Sequence, residues 1–222
     1  NEYAKMRAVS ENCVGLGMWM EDIESSAANY QMMLDMNWEA GAINLEEWFK
    51  DYSYARYGGT SEWIDKSNAE IMNSAYRRGG RNFSSMIAAR PAVLVINSGP
   101  SGTLGIPGGL DKYVNAWKYL LQEKDRFADS EGYRYDVVDY ARQTLSFLAQ
   151  YYQRDIVIYL YRKDIENFRK AKNRFLELFD DMDRLLNTNR HFMFGKWIAD
   201  ARSWATSEKE ADYYAKYAAI LP

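Results

Sequence analysis

The sequence predicts a mainly α fold, a bundle of about seven helices preceded by a single βα unit. Three observations predict it. From residue 44 onward apolar residues recur at spacings of three and four through most of the chain. Proline occurs only 4 times in 222 residues, which leaves room for long uninterrupted helices. Near the amino end, residues 12–18 (Asn-Cys-Val-Gly-Leu-Gly-Met) form a short apolar stretch with two glycines, the pattern of a buried strand with a close backbone approach.

The elements follow in order. After the strand come Trp19, Met20, Glu21, Asp22 and Ile23, and then a helix over 24–36 with Ala28, Met32, Met33 and Met36 on one face. One βα unit cannot cover both faces of its strand, so neighbouring strands are expected outside this chain. Asn44 followed by Glu47 has the form of a capping box, and Gly58-Gly59 a stop. Between them Leu45, Trp48, Phe49 and Tyr52 form an apolar face. A second helix is expected over 61–77, with Trp63, Ile64, Ile71 and Tyr76 inward, ended by Gly79-Gly80. Residues 80–110 hold a basic turn, the apolar run 93–96 and a glycine- and proline-rich loop, 98–109, expected to be exposed or mobile.

The helical period resumes over 111–124 with Tyr113, Val114, Trp117, Leu120 and Leu121. The longest helix is expected over 133–161, with Val138, Ala141, Leu145, Leu148, Tyr152, Ile156 and Tyr159 in register. Its partner spans 164–187, with Ile165, Phe168, Ala171, Phe175, Phe179, Met182 and Leu186 on one face. The short link implies an antiparallel pair. Two shorter helices follow, over 195–205 and 208–219, the second opened by Ser207 and Glu210 as another capping box.

Composition excludes several function classes. Hydrophobic residues are 47% and charged residues 27%, an ordinary globular balance. With 28 basic and 31 acidic side chains, net charge is −3, so no global basic field points to nucleic acid. One cysteine, Cys13, rules out an internal disulfide and a CxxC zinc pair. A single histidine, His191, argues against a His-rich metal centre and a Ser/His/Asp triad. No run of about 18 apolar residues exists, so no membrane span is expected. No cofactor and no metal is expected either. The opening, NEYAKMRAVS, has no signal-peptide apolar region and no initiator methionine, as expected of a processed chain or a piece of a longer one. Aromatic residues reach 15%, which suits a large aromatic core and also a sugar-binding surface.

Few residues have the form of a chemical group in place. Glu21 follows the apolar strand through a short loop, and in parallel α/β architectures catalytic groups sit at the carboxyl ends of strands. A solvated loop carboxylate beside Asp22 and Glu24 fits the same pattern. The loop 99–109 lacks the Lys-Ser/Thr ending of a phosphate cradle. Asp180, Asp181 and Asp183 lack calcium-loop spacing and fall on a helix, so they read as a solvated face. Arg77, Arg78 and Arg81 read as loop tethers, His191 as structural and Cys13 as buried and inert. Asn82-Phe83-Ser84 is a glycosylation sequon, meaningful only in a eukaryotic secretory setting.

Five segments in order, VGLGMWMEDIE (14–24), ARYGG (55–59), GYRYDVVDYARQ (132–143), FMFGKWIADAR (192–202) and SEKEADYYAK (207–216), resemble the alpha-N-acetylglucosaminidases of glycoside hydrolase family 89. The resemblance implies that residues 1–40 are the last part of a catalytic (β/α)8 barrel and that 41–222 are an all-α C-terminal domain, truncated at its end. It implies hydrolysis of terminal alpha-linked N-acetylglucosamine with retention, with Glu21 as nucleophile. The acid/base glutamate would lie on an earlier barrel strand, outside this chain, and the family's pocket-lining Trp and Tyr would follow the last segment. The partners implied are a glycan with terminal alpha-N-acetylglucosamine and the missing N-terminal barrel, and the setting exported (periplasmic or secreted) or lysosomal. The 222 residues alone are expected to be inactive. Two positions depart from the family pattern: Met20 stands where proline usually precedes the nucleophile, and Ala27 where an acidic residue is frequent. The alternative function is a non-catalytic helical module binding glycan or a protein partner, and a third is a purely structural domain.

Overall fold

The computed structural model describes residues 27–39, 41–74 and 109–220, with isolated positions 5, 6, 9, 10, 12, 14, 15 and 17. Among the described residues the fold is helical, with no strand. The helices are α1 Ala27–Asp35, α2 Leu45–Tyr57, α3 Glu62–Met72, α4 Leu110–Leu121, α5 Glu131–Tyr161, α6 Ile165–Leu186, α7 Phe194–Ser203 and α8 Glu208–Ala218. A 3₁₀ turn, Arg190–Phe192, links α6 to α7. The seven helices expected after the βα unit are α2 to α8.

The helix half of the expected βα unit is α1. The strand half is not seen: Asn12 lies in a turn, and Val14, Gly15 and Gly17 lie in irregular backbone. A strand is defined by its ladder, and no described segment pairs with this one. Cys13, Leu16, Met18 and Glu21 lie outside the described residues, as do Arg77, Arg78, Arg81, the sequon at Asn82, the apolar run 93–96 and loop residues 98–108.

Local chemistry sets the helix ends. Asn44 caps α2 by accepting from the Glu46 amide at 3.2 Å. Gly58 closes α2 at φ 84°, a left-handed cap that glycine adopts without strain. Ser61, Ser130, Asp164 and Ser207 cap α3, α5, α6 and α8 in the same manner. At α8 the capping box is displaced by one residue. Glu210 accepts from the amide of Thr206 at 2.7 Å and from its hydroxyl at 2.8 Å, one position before the cap. Helix α3 stops at Met72, earlier than residue 77, where the Asn73 amide donates to Ala69 and the Asn73 side chain to the same carbonyl.

Helices α3 and α4 run antiparallel, residues 63, 67 and 70 lying opposite 119, 116 and 115. Ser67 donates to the Ala116 carbonyl at 2.9 Å and Trp63 stacks on Tyr119 with centroids 5.8 Å apart, which locks α3 on α4. Trp63 was expected inward; it sits at the rim, 39% exposed, with the Lys66 ammonium 4.5 Å from its ring centroid. Leu145, Leu148, Ala149 and Tyr152 of α5 pack against Phe175 and Leu178 of α6. The central core is Tyr57, Ile64, Leu120, Phe127 and Tyr133, drawn from α2, α3, α4, the α4–α5 link and α5. A second cluster seats α1 on α2 through Ala28, Met32, Trp48, Phe49 and Tyr52.

Helix α5 runs 31 residues, about 46 Å at 1.5 Å per residue. Its buried positions include Tyr133, Ala141, Phe147, Gln150 and Val157, so α5 is enclosed on more than one face. The single stripe expected from the sequence is only part of its buried surface. Helix α6 by contrast is one-sided, with Ala171, Leu178 and Met182 buried and its aspartates outward. Asp181 pairs with Arg184 and Asp183 accepts from Asn187, so this acidic run is a solvated face.

Candidate functional site

Helix α2 places Trp48, Tyr52 and Arg56 four residues apart, hence on one face. Trp48 stacks on Tyr52 with centroids 5.1 Å apart and planes 16° from parallel. The Arg56 guanidinium lies 5.9 Å from the Tyr52 ring and 5.6 Å from the Tyr135 ring of α5. Tyr135 in turn stacks on Phe192 of the 3₁₀ turn at 4.8 Å. The result is a five-member ladder, Trp48–Tyr52–Arg56–Tyr135–Phe192, running across three elements.

Beneath the ladder sits a buried charge pair. Asp136 accepts from Arg56 Nε at 2.6 Å, from Arg56 Nη2 at 2.7 Å and from the Tyr57 hydroxyl at 2.8 Å. Burial pushes the Asp136 carboxyl up, while the Arg56 and Tyr57 bonds pull it down, and the balance is upward. Burial would lower Arg56, but the bonds and charge of Asp136 outweigh it and hold the guanidinium above its ordinary value. Burial, then the Asp136 charge, raises Tyr57 well above 10. The Asp136 carboxyl thus ties Arg56 of α2, Tyr57 of α2 and the start of α5 into one hydrogen-bonded unit.

The close approach of α2 to α5 depends on Gly132. A Cβ there would lie 2.6 Å from the Arg56 carbonyl oxygen and 2.8 Å from its Cγ. Ser130, the α5 cap, donates to that same carbonyl at 3.3 Å.

Above the ladder lies a groove of about 560 Å³. Ala27 and Gln31 of α1 form one wall, and Tyr52, Arg56, Tyr135 and His191 are among the others. Glu131 stands at its edge, accepting from Arg190 at 2.6 Å and lying 2.9 Å from His191 Nε2. The His191 bond and then Arg190 lower the Glu131 carboxyl below its ordinary value, so it remains an acceptor and not a proton donor. A second cavity of about 760 Å³ lies on the far side of the same Glu131–Arg190 pair, between the α4–α5 and α6–α7 links.

Glu21, the residue singled out by sequence, is outside the described residues, but α1 begins six residues after it. His191 was read as structural; it lies in the groove wall bonded to Glu131. Sequence reasoning did not find Arg56, Asp136, Gln31, Tyr135 or Glu131. One signal was there: the i, i+4, i+8 placement of Trp48, Tyr52 and Arg56. Among the described residues no cluster of three His, Cys, Asp or Glu could hold a metal, and no helix is long and apolar enough to cross a membrane.

A family described as the alpha-N-acetylglucosaminidase C-terminal domain matches residues 48–221. The chain belongs to this family. It is 27% identical over 207 residues to the human alpha-N-acetylglucosaminidase, covering 90% of this chain and 27% of that protein. A family 89 glycoside hydrolase from Clostridium perfringens, solved with two glutamate-to-glutamine substitutions and its substrate GlcNAc-alpha-1,4-galactose, aligns over 99% of this chain with TM-score 0.90 and 30% identity. The same enzyme bound to a 2-acetamido-dideoxynojirimycin-type compound aligns with TM-score 0.91 and 29% identity. The chain spans about a quarter of each relative, 26% of the bacterial chain, and corresponds to a C-terminal portion of the family 89 enzymes. The C-terminal domain match takes in the ladder, the Arg56–Asp136 pair and the last two helices, α7 and α8.

Proposed function

We propose that this chain is the C-terminal part of a retaining glycoside hydrolase that removes terminal alpha-linked N-acetylglucosamine from glycans. The observation that carries the reading is the alignment of 99% of the chain on an enzyme solved with an alpha-linked N-acetylglucosamine disaccharide as its substrate. In this reading residues 1–40 belong to the catalytic barrel and 41–222 to the helical domain, and Glu21 is the nucleophile. The family match from Trp48 onward is compatible with that division.

The chemistry requires two carboxyls about 5–5.5 Å apart. Glu21 as carboxylate attacks the anomeric carbon from one face while a carboxylic acid, contributed by the barrel, protonates the departing oxygen. Water then cleaves the glycosyl ester, activated by the second group acting as base. The helical domain supplies a rigid wall beside the helix that follows Glu21. The proposed setting is exported or lysosomal.

Glu21→Gln in the intact enzyme tests the assignment: turnover of an aryl alpha-N-acetylglucosaminide should fall by many orders of magnitude, and a loss below about tenfold would reject the nucleophile role. The 222 residues alone should show no turnover. Saturable glycan binding by these residues that is indifferent to Glu21 would favour the alternative, a non-catalytic module.

A further inference from the structure

We propose that the cavity of about 760 Å³ between the α4–α5 and α6–α7 links binds a small organic anion, an oxyanion head on a compact apolar body. The site goes beyond the glycosidase reading and does not rest on it: neither Glu21 nor the groove above the ladder enters it. Three observations carry it.

The first is charge. The cavity is lined by Lys124 of the α4–α5 link, Arg134 in the first turn of α5 and Arg190 of the 3₁₀ turn, against one carboxylate among the described residues, Glu131. Arg190 and His191 already engage Glu131, at 2.6 Å and 2.9 Å. Lys124 and Arg134 are left as surplus positive charge, in a chain whose net charge is −3. The groove above the ladder differs, because its Arg56 is matched by Asp136.

The second is a set of open donors. Among the described residues Lys124 has no hydrogen-bond or ion-pair partner. Arg134 donates through Nη1 to the Ala128 carbonyl at 3.1 Å, which leaves its Nε and Nη2 open among the described residues. Asn189, another lining residue, accepts from the His191 amide at 3.0 Å through Oδ1, and its Nδ2 has no acceptor among the described residues. All of these groups donate, and two of them are cations, the combination that satisfies a carboxylate or phosphate head.

The third is an apolar floor of suitable size. Leu121, Val137 and Val138 line the same cavity, and its volume falls in the range of small-ligand sites. Tyr133, also in the lining, is buried and donates its hydroxyl to the Leu120 carbonyl. The floor is therefore set before a ligand arrives, which reduces the ordering cost of binding. A bare inorganic ion would leave this apolar surface wet, whereas an organic body covers it.

The test is calorimetric titration of the intact protein with phenyl phosphate and with benzoate. Inorganic phosphate and benzyl alcohol serve as controls for head and body alone. One or both of the organic anions should saturate with a Kd of about 1 mM or tighter, at least about fivefold tighter than either control. Lys124→Glu should weaken that binding about tenfold, and Arg134→Gln about fivefold. Lys124→Arg keeps the charge and should change it by less than about threefold. Both positions are exposed, so the variants should fold. Raising salt from about 0.05 to about 0.5 M should weaken binding as well. The proposal is overturned if neither anion saturates by about 10 mM. Affinity within about twofold of the unsubstituted protein when Lys124→Glu and Arg134→Gln are combined overturns it too, as does either control binding as tightly as the organic anions.

Discussion

Asp136 shows how one buried carboxylate can organise its surroundings. It takes three hydrogen bonds, two from Arg56 and one from Tyr57, in a place with little water to replace them. Removing the acid strands a mostly buried cation, whereas removing the phenol hydroxyl leaves the ion pair whole. Asp136→Ala should therefore cost about 3–5 kcal/mol, and Tyr57→Phe only about 1.5–3 kcal/mol, both read from urea unfolding followed by tryptophan fluorescence. Equal losses would mean that the pair is not what matters. The sequence places Arg56, Tyr57 and Asp136 inside two segments, ARYGG and GYRYDVVDYARQ, that carried the family resemblance. Their partnership across 80 positions was not legible, because a charged residue at helical spacing looks the same whether it faces water or a counter-ion.

At the scale of elements, the contact of α2 with α5 depends on Gly132. Intrinsic helix propensity favours alanine over glycine by about 1 kcal/mol. Here the added methyl would meet a backbone carbonyl at 2.6 Å, an atom that cannot swing aside, so packing outweighs propensity. Gly132→Ala should destabilise by about 1–3 kcal/mol, and thermal unfolding at or above the unsubstituted midpoint would refute the close-approach argument. Periodicity located most of the helices well: α2, α5, α6 and α8 begin and end within two residues of expectation. It did worse on which side of α5 is buried, because a helix enclosed by neighbours carries Asp136, Thr144, Gln150 and Gln153 inside and has no single apolar stripe. The end of α3 was misplaced because the residues after Met72 continue in helix-compatible types, while the terminating bonds at Asn73 are local geometry. The groove was illegible for a plainer reason: its walls come from α1, α2, α5 and the 3₁₀ turn, and no local pattern reports such a meeting.

For the whole molecule, the central core joins aromatic rings to polar handles. Tyr57, Phe127 and Tyr133 meet with centroids 5.7 to 6.2 Å apart, and the Tyr133 hydroxyl donates to the Leu120 carbonyl. Burial lifts Tyr133 to about 12 and Tyr57 well above 10. In the unfolded chain both phenols titrate near 10. The folded state therefore holds its protons more tightly, and this contribution to stability is complete below about pH 10 and drains away as pH rises through about 12. The unfolding midpoint should drop over that window, in step with tyrosinate absorbance; an early titration of all tyrosines without unfolding would contradict it.

Helices α7 and α8 pack chiefly on each other. Arg202 binds Glu208 and Asp212, and the Trp197 indole donates to the Ala218 carbonyl at 2.9 Å. Among the described residues, none of the three core clusters draws a residue from this hairpin. The molecule thus has a natural seam: the last two helices can breathe open as one latch while the larger body stays shut, and their amide protons should escape to solvent long before those of α5.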